Sequence, residues 1–218
     1  MAKISRVQAH ERAKNRYLID IDGAYAFSVG EEVLVRFSLW KGKEMSAQEI
    51  EAVKQVERSA SVRASALNYL SYRARSQVEV KRFLAAKGFD EELIASVLHE
   101  LREQQWLDDD DFADRLAFER LRKGYGPLYI RHDLQRRGVE HDRVEAALAQ
   151  VSEADWRRAA LWVLDKKAAS YRGLSLHEQA GKLCQLLLRR GFSQASARTW
   201  VKEFLADSGR IDFPEDEA

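Results

Sequence analysis

Three stretches of this chain carry one pattern: "VKRFLAAKGFDEELIASVLHEL" (80–101), "IRHDLQRRGVEHDRVEAALAQV" (130–151) and "LCQLLLRRGFSQASARTWVKEF" (183–204). Aligned on Gly88, Gly138 and Gly191, they put Val80, Ile130 and Leu183 in one column and Leu84, Leu134 and Leu187 in the next. Beyond the glycine, Phe89, Val139 and Phe192 align, then Val97, Ala147 and Trp200, then Leu98, Leu148 and Val201, and finally Leu101, Val151 and Phe204. Apolar residues at three- and four-residue steps predict helices, and a glycine followed by an apolar residue supplies the left-handed cap and the fold-back contact that end one. Each stretch is therefore two amphipathic helices joined at a glycine, repeated with a period of about 50 residues.

A further helix precedes each pair, in "VRASALNYLSY", "DFADRLAFERLRK" and "DWRRAALWVLDKKAAS". The unit is three helices, which predicts nine helices beyond the β-rich beginning, in repeats at 62–108, 109–151 and 152–206. Stacked units of this kind make an elongated, curved array. Ahead of them, 1–45 reads as a small β-rich module: "ISRVQAH", "YLIDI" and "YAFSV" are short and rich in β-branched or aromatic residues, and Asp22-Gly23 is a hairpin signal between the last two. A connecting helix is expected over 46–61, started by Ser46 and Glu49 at capping-box spacing, and an acidic tail over 207–218. The expected fold class is mainly α: tandem three-helix repeats with a β-rich N-terminal module.

The formal net charge is only +1, but its distribution is uneven. Residues 60–89 carry +5, 90–111 carry −8, 112–202 carry +8 and 203–218 carry −5. The acidic block ends in "WLDDDDF" (106–112), where four adjacent carboxylates need a cation, a helix end or water. Trp106 lies eighteen residues past Gly88 and Trp156 eighteen past Gly138, so the run falls on a seam between repeats. Asp108–Asp111 are thus expected to cap and open the next helix, with Phe112 starting its apolar face. "DWRRAAL" repeats the design with Asp155 before Trp156. A divalent-cation site is the competing reading, weakened by the want of further ligands at suitable spacing.

Catalytic and metal templates fit poorly. His10, His99, His132, His141 and His177 have no paired spacing, and "AGKL" (180–183) lacks the upstream glycine and the Ser/Thr of a phosphate loop. No nucleophile elbow or dinucleotide fingerprint appears. The chain is expected to be no enzyme and to need no cofactor. Lone Cys184, in "KLCQLLLRR", is expected on a buried helix face. The lack of a long apolar run or a signal-like N-terminus predicts a soluble, cytoplasmic protein with no membrane contact.

Binding is what the repeats display. Each second helix ends in cations: Lys87, then Arg136 and Arg137, then Arg189 and Arg190. Helix-dipole complementation accounts for part of this. The joints between first and second helices, "SYRARS", "RKGYGP" and "SYRGLS", each set a tyrosine beside Arg or Lys. Aromatic faces among cations suit a phosphate backbone with exposed bases, and equally an acidic protein groove. Solvated turns with a packing tyrosine are the plainer alternative. The contact candidates are Arg73, Arg75, Lys123, Arg131, Arg136, Arg137 and Arg172.

Read together, "ALNYLSYRARSQVEVKRFLAAKGF", "LDDDDFADRLAFERLRKGYGPLYIRHDLQRRGV" and the looser third repeat ending near "WVKEF" resemble the RecX family of bacterial regulatory proteins, which modulate the RecA recombinase. The resemblance spans about 62–205, and the β-rich beginning is similar to the extension of longer members. The third repeat departs from the pattern at its joint, where Gly-Pro is absent. The resemblance implies a non-enzymatic monomer that binds the RecA nucleoprotein filament and restrains ATP hydrolysis, strand exchange and filament growth. Recombination, DNA repair and the SOS response would be under its control. Contact with single- or double-stranded DNA is expected to be weak and sequence-independent. The alternative is a direct DNA-binding protein built from helix-turn-helix-like three-helix units.

Overall fold

The computed structural model describes residues 1–11 and 13–207; the expected acidic tail, apart from Asp207, lies outside them. The described residues form ten helices and four strands, the strands first and the helices of the repeats after them. The described chain divides into two compact units, one of Met1–Arg75 with Val80–Leu107, the other of Ser76–Glu79 with Asp108–Asp207.

In the first unit, β1 (Ala2–Ala9), β2 (Arg16–Ile21), β3 (Ala24–Gly30) and the two-residue β4 (Glu44–Met45) form an antiparallel sheet in the order β3-β2-β1-β4. The β2–β3 hairpin turns at Asp22 and Gly23, both at positive φ (51° and 88°), with Ile21 opposite Ala24. That is the mirror-image turn that Asp-Gly favours, because its twist matches that of the strands. A short helix, α1 (Glu31–Arg36), interrupts the stretch read as β-rich. Its "VLV" imitates a strand, but Glu31 and Glu32 in the first turn favour the positive helix end.

The expected connecting helix and the opening helix of the first repeat are one helix, α2 (Ala47–Tyr72). Nothing in 47–72 breaks it, there being no Gly or Pro. Ser46 starts it with a complete capping box to Glu49. Its first half contributes Val53 to a core with Ile4, Ile19, Phe27, Val29, Val33, Leu39 and Met45. Its second half contributes Val62 and Ala66 to another, with Val80 and Leu84 of α3 (Gln77–Ala86), Ile94, Val97, Leu98 and Leu101 of α4 (Glu91–Glu103), and Leu107. Between them, buried Glu57 accepts the Gly30 amide at 2.7 Å and pairs with Arg16 at 2.9 Å, so its charge is compensated where α2 crosses the strands.

The second unit holds α5 (Asp109–Arg122), α6 (Pro127–Arg136), α7 (His141–Ala149), α8 (Glu153–Ala168) with a 3-10 turn at Ala169–Tyr171, α9 (Leu176–Arg189) and α10 (Gln194–Asp207). One continuous core runs through all six helices, from Phe112 and Ile130 to Phe192, Trp200 and Leu205. The aligned columns line both helical cores: Val80 and Leu84 in the first unit, and Ile130, Leu134, Leu183 and Leu187 in the second, are all within 1% of complete burial. Cys184 differs from its expectation. It is half-buried at the edge of this core, its Sγ 3.8 Å from the Ala197 carbonyl oxygen, where burial pushes the thiol pKa up.

All three glycine caps form alike. Gly88, Gly138 and Gly191 have φ of 83°, 83° and 86°. In each, the following residue donates its N–H back to the aligned leucine carbonyl: Phe89 to Leu84, Val139 to Leu134 and Phe192 to Leu187. This closes orphan carbonyls at the helix end.

Candidate interaction surfaces

The acidic run resolves into four separate partners. Asp108 is the N-cap of α5 and accepts the amides of Asp110 and Asp111 at 2.9 and 3.0 Å. Asp109 reaches the start of α3 and accepts the Gln77 amide at 2.8 Å. Burial raises the Asp109 pKa, against the lowering effect of that hydrogen bond and of Arg143. Asp110 pairs with Arg143 of α7, and Asp111 with Arg115 at 2.8 Å. The carboxylates are therefore spent on helix ends and arginines. No group of three or more potential ligands converges among the described residues. At α8 the echo differs from its expectation: Ser152 is the cap, accepting the Asp155 amide, and Asp155 sits in the first turn.

The contact candidates separate into engaged and displayed side chains. Arg137, with 17% of its side chain exposed, is engaged: Asp133 at 3.1 Å and Glu79 at 3.2 Å hold its guanidinium. Asp133 is the hub. Its side chain is 3% exposed and takes Arg120 at 2.9 Å and Arg136 at 3.1 Å as well. Burial opposes the Asp133 charge, but hydrogen bonds from Arg120 and Arg136 and the charge of Arg137 outweigh it, so the carboxyl titrates below its ordinary range. Arg131 is forked onto Glu145 at 2.6 and 2.9 Å. Lys123 bonds Glu119, while its own carbonyl accepts from Arg190 at 2.8 Å. Arg136, with 68% of its side chain exposed, faces outward despite its bond to Asp133. Arg73 and Arg172 are exposed, at the ends of α2 and of the 3-10 turn.

The expected tyrosine–cation pairs exist with other partners. Arg75 lies 4.1 Å over Tyr69, which stacks on Phe83 at 3.9 Å, and Lys87 sits 5.0 Å over Phe83. Tyr72, named by the joint motif, is instead 77% exposed. In the second unit Tyr125 stacks on Tyr129 at 4.0 Å and carries Arg190, not Lys123, over its ring at 4.8 Å. Tyr171 packs against the core. Sequence reasoning passed over Asp133, Glu79 and Tyr69. Asp133 had a usable signal: a lone acid between Ile130 and Leu134, with Arg136 and Arg137 three and four residues on.

Two of the second helices, α6 and α3, begin on a neighbouring glycine cap. The N–H of Gly126, at the start of α6, donates to the Arg190 carbonyl at 2.8 Å, and Leu128 donates to Gly191 at 3.0 Å. The Ser76 hydroxyl, at the start of α3, donates to the Arg137 carbonyl, the equivalent station. A Cβ on Gly126 would lie 2.5 Å from the Gly191 oxygen, and one on Gly138 2.5 Å from Val78. The "KGYGP" and "RRG" motifs are thus two halves of one backbone contact.

Three family models match this arrangement in succession: Regulatory protein RecX N-terminal domain over residues 2–46, RecX first three-helix domain over 63–101, and RecX second three-helix domain over 108–148. The chain belongs to the RecX family of regulatory proteins. Regulatory protein RecX of Limosilactobacillus reuteri (strain DSM 20016) is 33% identical over 196 residues, covering 89% of this chain and 74% of that protein. Regulatory protein RecX of Halalkalibacterium halodurans is 35% identical over 199 residues, 88% of this chain and 74% of that one. Among solved structures, a crystal structure of regulatory protein RecX superposes with a TM-score of 0.70 at 31% identity, over 93% of this chain and 100% of that one. The crystal structure of RecX from Lactobacillus salivarius gives 0.64 at 25% identity, over 68% and 97%. The RecX N-terminal model falls on the sheet module, and the two RecX three-helix models fall on α2–α4 and α5–α7. In this RecX-family chain no described helix is long and apolar enough to cross a membrane.

Proposed function

We propose that this RecX-family protein is a non-enzymatic regulator that binds the RecA nucleoprotein filament and inhibits its ATP hydrolysis, strand exchange and filament growth. It acts in the cytoplasm as a monomer, in control of homologous recombination, DNA repair and the SOS response. The observation that carries this reading is the succession of three RecX models, in chain order, over the sheet module and the first two three-helix units. The surface supports it: Arg73, Arg136 and Arg172 present cations outward, and contacts spread over several repeats add as avidity without any single tight site. Complementary charge steers such encounters and fixes their register more than it raises affinity. Among the seven candidates, Arg75, Lys123, Arg131 and Arg137 act in this reading by shaping the surface as much as by touching the partner. Weak, sequence-independent contact of the exposed Tyr72–Arg73 joint with single- or double-stranded DNA belongs to the same reading.

Co-sedimentation tests it. The purified chain is expected to pellet with RecA filaments preformed on single-stranded DNA, and to pellet far less with the DNA alone at the same salt. Equal recovery with bare DNA would favour the direct DNA-binding alternative, and no recovery with filaments would overturn the proposal.

A further inference from the structure

Large aromatic side chains on this chain are mostly committed to cores or stacks, but Trp162 of α8 is 43% exposed. It forms one wall of a recess of about 290 Å3 lined by Leu121, Arg122, Asp155, Arg158, Ala159 and Trp162. Leu121 is buried and Ala159 half-buried, so the floor is apolar. Phe118, 40% exposed, continues the apolar strip one turn back along α5. The wall is built in. Gly124, at φ 75°, lets the α5–α6 joint pass so close that a Cβ there would lie 3.2 Å from the indole and 2.2 Å from Val163. A preformed recess loses little free energy to ordering when it is filled.

Its rim is cationic. Arg122 is exposed and makes no ion pair among the described residues. Arg158 is 80% exposed, and Lys166 sits 3.7 Å over the Trp162 ring. The one acid in the lining, Asp155, is already taken by Ser152 and by Arg158 at 2.6 Å, and exposed Asp165 beside Lys166 leaves the rim positive. Because the Lys166 ammonium occupies an indole face, the socket is suited less to a stacked base than to an inserted side chain. We infer that the Trp162 recess is a peptide-docking site for a partner protein's acidic segment, with an aromatic or aliphatic side chain on the apolar floor and carboxylates on Arg122, Arg158 and Lys166. Exposed Trp and Arg around a preformed pocket are the side chains that dominate binding energy at protein interfaces.

The test needs no recombinase, so its outcome is separable from that of the filament proposal. A fluorescein-labelled peptide, Asp-Glu-Phe-Asp-Glu-Glu, is titrated with the full chain and followed by anisotropy. A second peptide carries Ala for Phe. Saturable binding is expected, weakened about tenfold or more by the Phe-to-Ala peptide, by Trp162→Ala and by Arg122→Glu with Lys166→Glu, with far-UV circular dichroism unchanged. The charge-reversed variant leaves the indole in place and so stands as the independent readout if Trp162→Ala unfolds the chain. Four results would overturn the inference: no saturable binding; equal binding of both peptides; binding indifferent to these substitutions; or binding that appears only after residues 208–218 are deleted, which would make the chain's own acidic end the occupant.

Discussion

At the scale of single residues, the strongest electrostatic commitment lies at Asp133, where a buried carboxylate neutralises Arg120 and Arg137 and touches Arg136. Burying such a group is tolerable only because every partner is present. Asp133→Ala leaves the Arg120 and Arg137 guanidinium groups, each 17% exposed, with only Glu119 and Glu79 as partners, and is expected to cost about 1 to 3 kcal/mol in urea unfolding; a loss indistinguishable from zero would remove Asp133 as the hub. The sign of its pH dependence follows from the lowered carboxyl pKa. The stabilisation is full above the unfolded-chain value of about 3.9 and is lost as pH falls through the folded value. Asp109 runs the other way: its raised pKa means that the fold takes up its proton before the unfolded chain does, so its contribution becomes more favourable on acidification. Unfolding measured from pH 6 downward should therefore show a smaller acid loss in Asp133→Asn than in the wild type. The same hub explains why Arg137 is a poor probe of partner contact: its replacement disturbs the fold first.

At the scale of elements, the aligned columns and the glycine caps were legible because helical periodicity and a left-handed cap are local properties of the chain. The Asp-Gly turn and the two-residue capping signal at Ser46 were legible for the same reason. What was not legible is tertiary. No local signal says that Gly126 and Gly191 meet, that Asp109 serves the start of α3, or that Arg190 and not Lys123 covers Tyr125. The unbroken α2 was hidden because the repeat pattern sets a unit boundary at residue 62, which falls inside one continuous helix. Gly88 and Gly191 make the distinction measurable. Both have the same positive φ, but a Cβ on Gly88 meets open space while one on Gly191 lies 2.3 Å from the Tyr129 amide nitrogen. Gly88→Ala should cost about 1 kcal/mol for the backbone alone, and Gly191→Ala about 1 to 3 kcal/mol more for the displaced joint. Equal losses would mean that the close approach carries no energy.

At the scale of the whole molecule, nine helices arranged as three three-helix units follow the sheet module and its short α1 in the described chain, as the period of about 50 residues required. The first unit couples the sheet to the first repeat through α2, and the second runs a single core through the second and third repeats. The candidate surfaces were only partly visible in the sequence, since the motifs that mark cations at joints do not tell a displayed arginine from one held by a buried acid. Of the seven candidates Arg73, Arg136 and Arg172 face outward, and reversing Arg73 and Arg172 together leaves the core columns and the Asp133 hub untouched. The most direct measurement is ATP turnover by RecA filaments preformed on single-stranded DNA, titrated with the wild-type chain and with the Arg73→Glu, Arg172→Glu variant. Hydrolysis is expected to fall with added wild type and to need about tenfold more of the variant for the same fall; hydrolysis unchanged by a large excess of the wild type would contradict the account.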